Sequence, residues 1–360
     1  MNIVCLKSTL LQRVVQHQWM VASTRTLFSK SYLGIKDYEI QRSIQLPFDS
    51  TNVAFETEAA KLVRFMKYWM HVLKKDECVE KFSEIQTNLQ LIHNNPAQMK
   101  AFNFGPLVMR MCHYLNLPDQ ALQIFKDDKM PNMCVHLNSK IILADLLFNH
   151  GKYDQMLDII SMDIENRINF GRELCTKLNC LAIAACYKLN TEEKLKFGLE
   201  LWNKTKEKEL SPVHSANFLS MLAINLGHPE TALEVLGSTK KSHLFNDSVN
   251  IWLIALADYG HFAEAASLIE QSKSDIPKFN IYPSVVERIN ECSKKYPSTD
   301  EKTNFCKLLD TIPQLTSKKT IDDILCSPIE VSKEEKIRNF SPNYRNIARI
   351  NKEKRQELDI

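Results

Sequence analysis

The chain has 360 residues, 44% of them hydrophobic, enough to bury a large core either as two globular domains or as one long solenoid. Eight glycines and few alternating β-branched runs argue against a β-rich protein, so the expected fold class is all-α. The formal charge is +3, but residues 1–30 hold four basic side chains and no acid, leaving about −1 for the rest, so any nucleic-acid surface must come from local clustering of charge.

Lys7, Arg13, Arg25 and Lys30 lie among Ser8, Thr9, Ser23, Thr24, Thr26 and Ser29, with apolar residues between and no acid before Asp37. That is the composition of an amphipathic mitochondrial presequence, expected over 1–30 and followed by a linker over 31–54. No apolar core of secretory-signal length is present. An apolar run such as Ile251 to Ala257 is about a third of the roughly 20 residues needed to cross a bilayer, so no membrane span is expected.

Helical spacing begins at Phe55 and rarely stops. Leu62, Phe65, Met66, Trp69 and Leu73 share one face, and Val79, Phe82, Ile85 and Leu89 another, giving an N-terminal helical hairpin over 55–97 that ends at Asn94, Asn95 and Pro96. Residues 98–127 form the next pair, with Leu107, Met111 and Leu115 on its first helix and Ala121, Leu122 and Phe125 on its second, which Pro118 opens. Residues 137–161 repeat the pattern: Leu122 to Leu157 and Phe125 to Ile160 are both 35 apart. A longer pair over 172–206 is joined at KLNTEE, where Thr191 is the expected N-cap and Glu192 and Glu193 suit the helix dipole.

Residues 214–269 then contain one unit written twice. Asn217 maps to Asn250, Gly227 to Gly260, Ala232 to Ala265 and Leu236 to Ile269, each 33 residues on. The unit reads as helix, tight turn, helix: the glycine accepts a left-handed backbone at the end of the first helix, and the alanine five residues later lets the second approach closely. Such a hairpin cannot bury its own apolar face, so repetition implies a stack. Ser211-Pro212 and His228-Pro229 mark helix starts. A last pair is expected over 283–310, with Ser298 and Glu301 as a capping box, inside capping helices at 276–326 and before a charged tail at 327–360.

The asparagine, ten-residue gap, glycine and Ala-Leu pattern resembles the pentatricopeptide repeat, an organelle-enriched helical repeat that binds single-stranded RNA. FNFGPLVMRMCHYLNLPDQAL, LLFNHGKYDQMLDII and AIAACYKLN also resemble that family, and the likeness covers roughly residues 60–275. It implies a right-handed superhelical solenoid of helix-turn-helix repeats over 98–275, in five pairs plus flanking helices. It further implies single-stranded mitochondrial RNA as the partner in the matrix, and a role in transcript processing or maturation and hence respiratory-chain biogenesis. RNA-processing enzymes or the mitoribosome are the candidate protein partners.

In that family a polar residue on the concave face of each first helix reads one base edge. Asn217 and Asn250 hold that place, with Asn280 a third candidate, and an amide offers a donor and an acceptor together. As residues alone, they are equally helix-surface amides. The corresponding positions Pro106, Ile141 and Cys180 cannot make such a contact, which implies weak sequence reading or docking on a structured RNA or protein. In the tail, Arg338, Arg345, Arg349 and Lys352 surround Phe340 and Tyr344 and are candidates for phosphate contacts; a solvated extension is the other reading. Lys140, Lys177 and Lys188 are further candidate phosphate contacts.

Neither metal, cofactor nor catalysis is expected. The cysteines include no Cys-x-x-Cys or Cys-x-x-His pair and read as reduced core thiols. Asp127-Asp128 and Asp322-Asp323 are adjacent residues that point to different sides of a helix, and no phosphate-binding glycine loop, nucleophile elbow or His-Glu-x-x-His is present. A helical-repeat scaffold for protein partners stays open as the alternative, and a nuclease subunit would need an acidic cluster formed in space.

Overall fold

The computed structural model describes residues 27–43, 58–95, 103–130, 133–134, 136–161, 172–207, 213–239, 246–276, 279–316 and 319–329. Among them are seventeen helices and only two isolated β-bridges, Phe28 with Ile329 and Ile281 with Gln314. The N-terminal part holds α1 (Ile35–Ser43), α2 (Glu58–Val72), α3 (Lys75–Glu80) and α4 (Phe82–His93). Six pairs follow: α5 (Gly105–Tyr114) with α6 (Pro118–Phe125), α7 (Leu137–Asn149) with α8 (Tyr153–Ser161), and α9 (Arg172–Leu189) with α10 (Glu192–Glu207). Then come α11 (Val213–Asn225) with α12 (Pro229–Gly237), α13 (Asn246–Tyr259) with α14 (Phe262–Asp275), α15 (Pro283–Ser293) with α16 (Asp300–Asp310), and the short α17 (Ile321–Leu325).

The first helices α5, α7, α9, α11, α13 and α15 pack one against the next in chain order, and α6, α8, α10 and α12 each also touch the first helix of the following pair. This is the stack that the repeats imply, a helical-repeat solenoid. Its two layers differ in chemistry. Every residue from Ser215 to Ile224 in α11 is buried, and from Leu137 to Phe148 in α7 only Asn138 is not. A helix apolar all round belongs inside a protein. The second helices bury one stripe only, as α12 does with Ala232, Val235 and Leu236. Each fully buried Leu, Ile or Phe contributes roughly 1.5–3 kcal/mol over exposure, so the first-helix layer carries most of the stack's stability.

Five inter-helix turns share a left-handed residue: Asn116 at φ 55°, Gly151 at 68°, Asn190 at 50°, Gly227 at 84° and Gly260 at 87°. At four of them the N–H of the following residue bonds a carbonyl five residues back: Leu117 to Cys112, Lys152 to Leu147, His228 to Ala223, and His261 to Leu256, at 2.8–3.0 Å. That is the Schellman closure, which satisfies carbonyls the helix leaves open. Asn190 closes with the simpler bond from its own N–H to Cys186 O, and Thr191 Oγ1 then caps α10 by accepting from Lys194 N–H.

Several boundaries differ from the sequence reading. The expected linker over 31–54 contains α1, whose Tyr38 hydroxyl donates to the Met70 carbonyl and whose Arg42 bonds the Leu73 carbonyl. Leu27 and Phe28, inside the expected presequence, are buried, and 327–329 pairs with them although the tail was drawn from 327. The cap of α16 is Thr299, which accepts from Lys302 N–H, one residue beyond Ser298. Residues 1–26 of the expected presequence, Pro96, Ser211-Pro212 and the tail from 330 lie outside the described residues.

Candidate nucleic-acid interface

Asn217 and Asn250 sit on the first-helix layer, but inside it. Asn217 is 4% exposed and Asn250 fully buried. Asn217 Nδ2 donates to Ser248 Oγ of α13 at 3.0 Å. Asn250 Nδ2 donates to the carbonyls of Asn246 and Asn280 at 2.7 and 3.2 Å, while its Oδ1 accepts from the N–H of Tyr282 at 3.4 Å. Each amide ties its helix to the next pair, 30 to 32 residues on. The expectation that they read bases is corrected on this geometry: their hydrogen-bonding groups face neighbouring helices and not solvent. Asn280 is half-buried, and its backbone closes the same tie, its N–H bonding Asn246 Oδ1 at 3.0 Å.

The lysines considered for phosphate contacts are engaged as well. Lys140 is 8% exposed. Lys177 Nζ stands 3.9 Å from the centre of the Tyr32 ring. Lys188 pairs with Asp322: burial lowers the ammonium, but the hydrogen bond and charge of Asp322, together with Cys326 and Tyr153, hold it above its usual range. Arg338, Arg345, Arg349 and Lys352 lie outside the described residues.

What Lys177 and Lys188 meet are two segments from near the ends of the chain. Residues 27–34 cross the first helices near α5, α7 and α9: Leu33 O accepts from Arg110 Nε at 3.0 Å, and Phe28 N–H donates to Asp145 Oδ1 at 3.1 Å. Residues 319–329 run the other way: Lys319 O accepts from Ser284 Oγ of α15 at 2.8 Å, α17 touches α11, and Asp322 reaches Lys188 on α9. The two segments then join, Ile329 N–H to Leu27 O at 2.9 Å and Ser29 N–H to Ile329 O at 3.3 Å. Sequence reasoning missed this closure. Its one trace was Ile324, Leu325 and Cys326, an apolar triplet with no amphipathic helix long enough to use it.

Asp145 is a buried charge with three partners. It is fully buried, accepts from Phe28 N–H, pairs with His113 Nε2 at 2.8 Å through Oδ2 and accepts from Asn149 Nδ2 at 3.3 Å. Among the described residues no three His, Cys, Asp or Glu side chains gather as a metal site. Their cysteines are free and buried apart from the half-buried Cys306. Burial pushes the Cys180, Cys134 and Cys186 thiols up to about 12, far from a nucleophile's range.

The fold and its turns define a class, the α-solenoid of helix-turn-helix repeats with an asparagine-to-glycine pattern resembling pentatricopeptide repeats. No family profile matches the chain. It is similar to pentatricopeptide repeat-containing protein 2, mitochondrial, from several vertebrates. The Mus musculus protein is 29% identical over 163 residues, 43% of this chain and 42% of the relative. The Xenopus laevis protein is 27% identical over 180 residues, 48% and 46% of the two chains, and the Danio rerio protein 23% over 302 residues, 81% and 74%. The match thus spans less than half the length of the mouse and frog relatives. No helix among the described residues is long and apolar enough to cross a membrane.

Proposed function

We propose that this chain is a non-enzymatic RNA-binding protein of the mitochondrial matrix, acting in the processing or maturation of mitochondrial transcripts and through them in respiratory-chain biogenesis. The observation that carries the reading is the tandem helix-turn-helix stack together with its similarity to proteins named as mitochondrial pentatricopeptide-repeat proteins. With Asn217 and Asn250 buried, affinity comes from phosphate contacts more than from base edges, and Arg338, Arg345, Arg349 and Lys352 supply them, with Phe340 and Tyr344 stacking on bases. A separate nuclease does the cutting.

The test is a binding titration of the full chain against single-stranded RNA at several salt concentrations. Replacing the four tail residues by alanine flattens the salt dependence by about three units of slope if each neutralises one phosphate, since single strands give roughly −0.7 per contact. An unchanged slope removes the tail from the interface. A second reading, a scaffold for RNA-processing enzymes or the mitoribosome, is favoured by one observation: the first-helix amides and lysines are already engaged within the protein.

A further inference from the structure

The closure of the first-helix layer by the chain's own ends is made of two unequal halves. The N-terminal half, 27–34, is anchored by buried groups: Leu27, Phe28 and Leu33 are buried, and Asp145 and Arg110 hold its backbone. The C-terminal half, 319–329, is slighter. It buries Ile324, Leu325 and Cys326, and its helix α17 has five residues, too short to hold itself together without tertiary contacts. Five apolar side chains, three buried and Ile321 and Ile329 partly so, hold eleven residues in place, whereas α9 beneath buries every residue from Leu178 to Tyr187.

It makes an ionic contact to the stack through Asp322 on Lys188, a carboxylate on a lysine of the first-helix layer. A phosphate oxygen makes the same contact with an ammonium. The strap is also continuous with the basic segment, since Arg338 follows Ile329 by nine residues.

We propose that residues 319–329 are a releasable strap, in which Asp322 occupies Lys188 in place of a phosphate, so that single-stranded RNA reaches the first-helix layer only when the strap lifts. This rests on the RNA-binding reading above and adds its regulation. Opening frees Lys188 and uncovers α9 and α11 while the N-terminal half stays in place. RNA and strap therefore compete, and binding loosens the strap.

The experiment pairs amide hydrogen exchange with RNA titration on the full chain, using a 20-nucleotide uridine homopolymer as the probe. Asp322→Ala is compared with Asp310→Ala, which removes the same charge from the exposed end of α16. In the parent, the amides of Cys326 and Ile329 exchange at least about a hundredfold faster than those of Leu181 to Cys186, as a sub-global opening requires. Asp322→Ala speeds strap exchange and tightens RNA binding by about three- to tenfold, Asp310→Ala does neither, and added RNA speeds strap exchange in the parent. Strap amides that exchange together with the α9 core overturn the proposal whether or not RNA binds. Equal RNA affinity for both variants, with the strap opening freely, overturns gating alone. No binding by any form, with a strap that opens, defeats the RNA reading and the competition built on it, and leaves the separate opening as the surviving result.

Discussion

Asp145 concentrates what a single buried residue does in this fold. Its two oxygens satisfy His113, Asn149 and the Phe28 N–H at once, so it joins α5, α7 and the N-terminal segment. Asp145→Ala leaves a buried imidazole and a backbone N–H unpaired, and we expect a loss of about 3 kcal/mol in chemical denaturation. A loss under about 1 kcal/mol would mean that the network contributes little. Asn217 and Asn250 follow the same logic. Asn250→Ala removes the bonds to the Asn280 carbonyl and the Tyr282 N–H and should cost about 1–2 kcal/mol and lower the melting temperature, whereas Asn217→Ala, which removes one bond to Ser248 Oγ and a buried unpaired Oδ1, should cost less. A base-reading role instead requires lost RNA affinity at unchanged melting. The thiols set an alkaline limit. Cys78 and Cys292 are pushed up to about 11 and Cys134, Cys180 and Cys186 to about 12, all by burial, while thiols in the unfolded chain ionise near about 8.5. The folded state keeps protons that the unfolded state sheds, so stability is level on this account below pH ~8 and falls as pH rises toward about 11 to 12. Melting followed under reducing conditions from pH 7 to 11 checks this, and a level profile would refute it.

At the scale of elements, the turn residue sets each repeat. Gly227 and Gly260 have nearly the same backbone, but a Cβ at Gly260 would stand 2.7 Å from the Tyr296 ring, and at Gly227 it meets nothing within 4 Å. Gly227→Ala should therefore cost only the left-handed strain, roughly 1–2 kcal/mol, and Gly260→Ala distinctly more. Gly227→Asn should cost less than Gly227→Ala, because Asn116 and Asn190 already adopt that conformation. Equal losses at the two glycines would contradict the role given to Tyr296. Helix pairs were legible in the sequence because three- and four-residue apolar spacing survives in every second helix, and the 33-residue offset fixed two turns outright. Two things were hidden. The stretch IKDYEIQRS offers α1 only Ile35 and Tyr38 to bury, too few to show a period. The direction of Asn217 was also out of reach, because α11 is buried all round and its sequence carries no polar face to orient it.

At the scale of the molecule, the stack is a layer of first helices, covered on one side by second helices and crossed by the chain's own two ends. On the function proposed above, a nearly neutral protein binds RNA through local clusters of charge. One such cluster is Arg338, Arg345, Arg349 and Lys352, and the proposed exchange of Asp322 for a phosphate opens the covered layer. The contact of 319–329 with the first-helix layer could not be read from sequence, because it links Asp322 to a lysine 134 residues earlier. The proposed function stands or falls on RNA binding in mitochondria. Crosslinking in intact mitochondria, followed by sequencing of the attached RNA and recovery of protein partners from the same sample, tests it most directly. Enrichment of one or a few mitochondrial transcript regions is the predicted result; protein partners recovered with no RNA enrichment would contradict it and leave a scaffold.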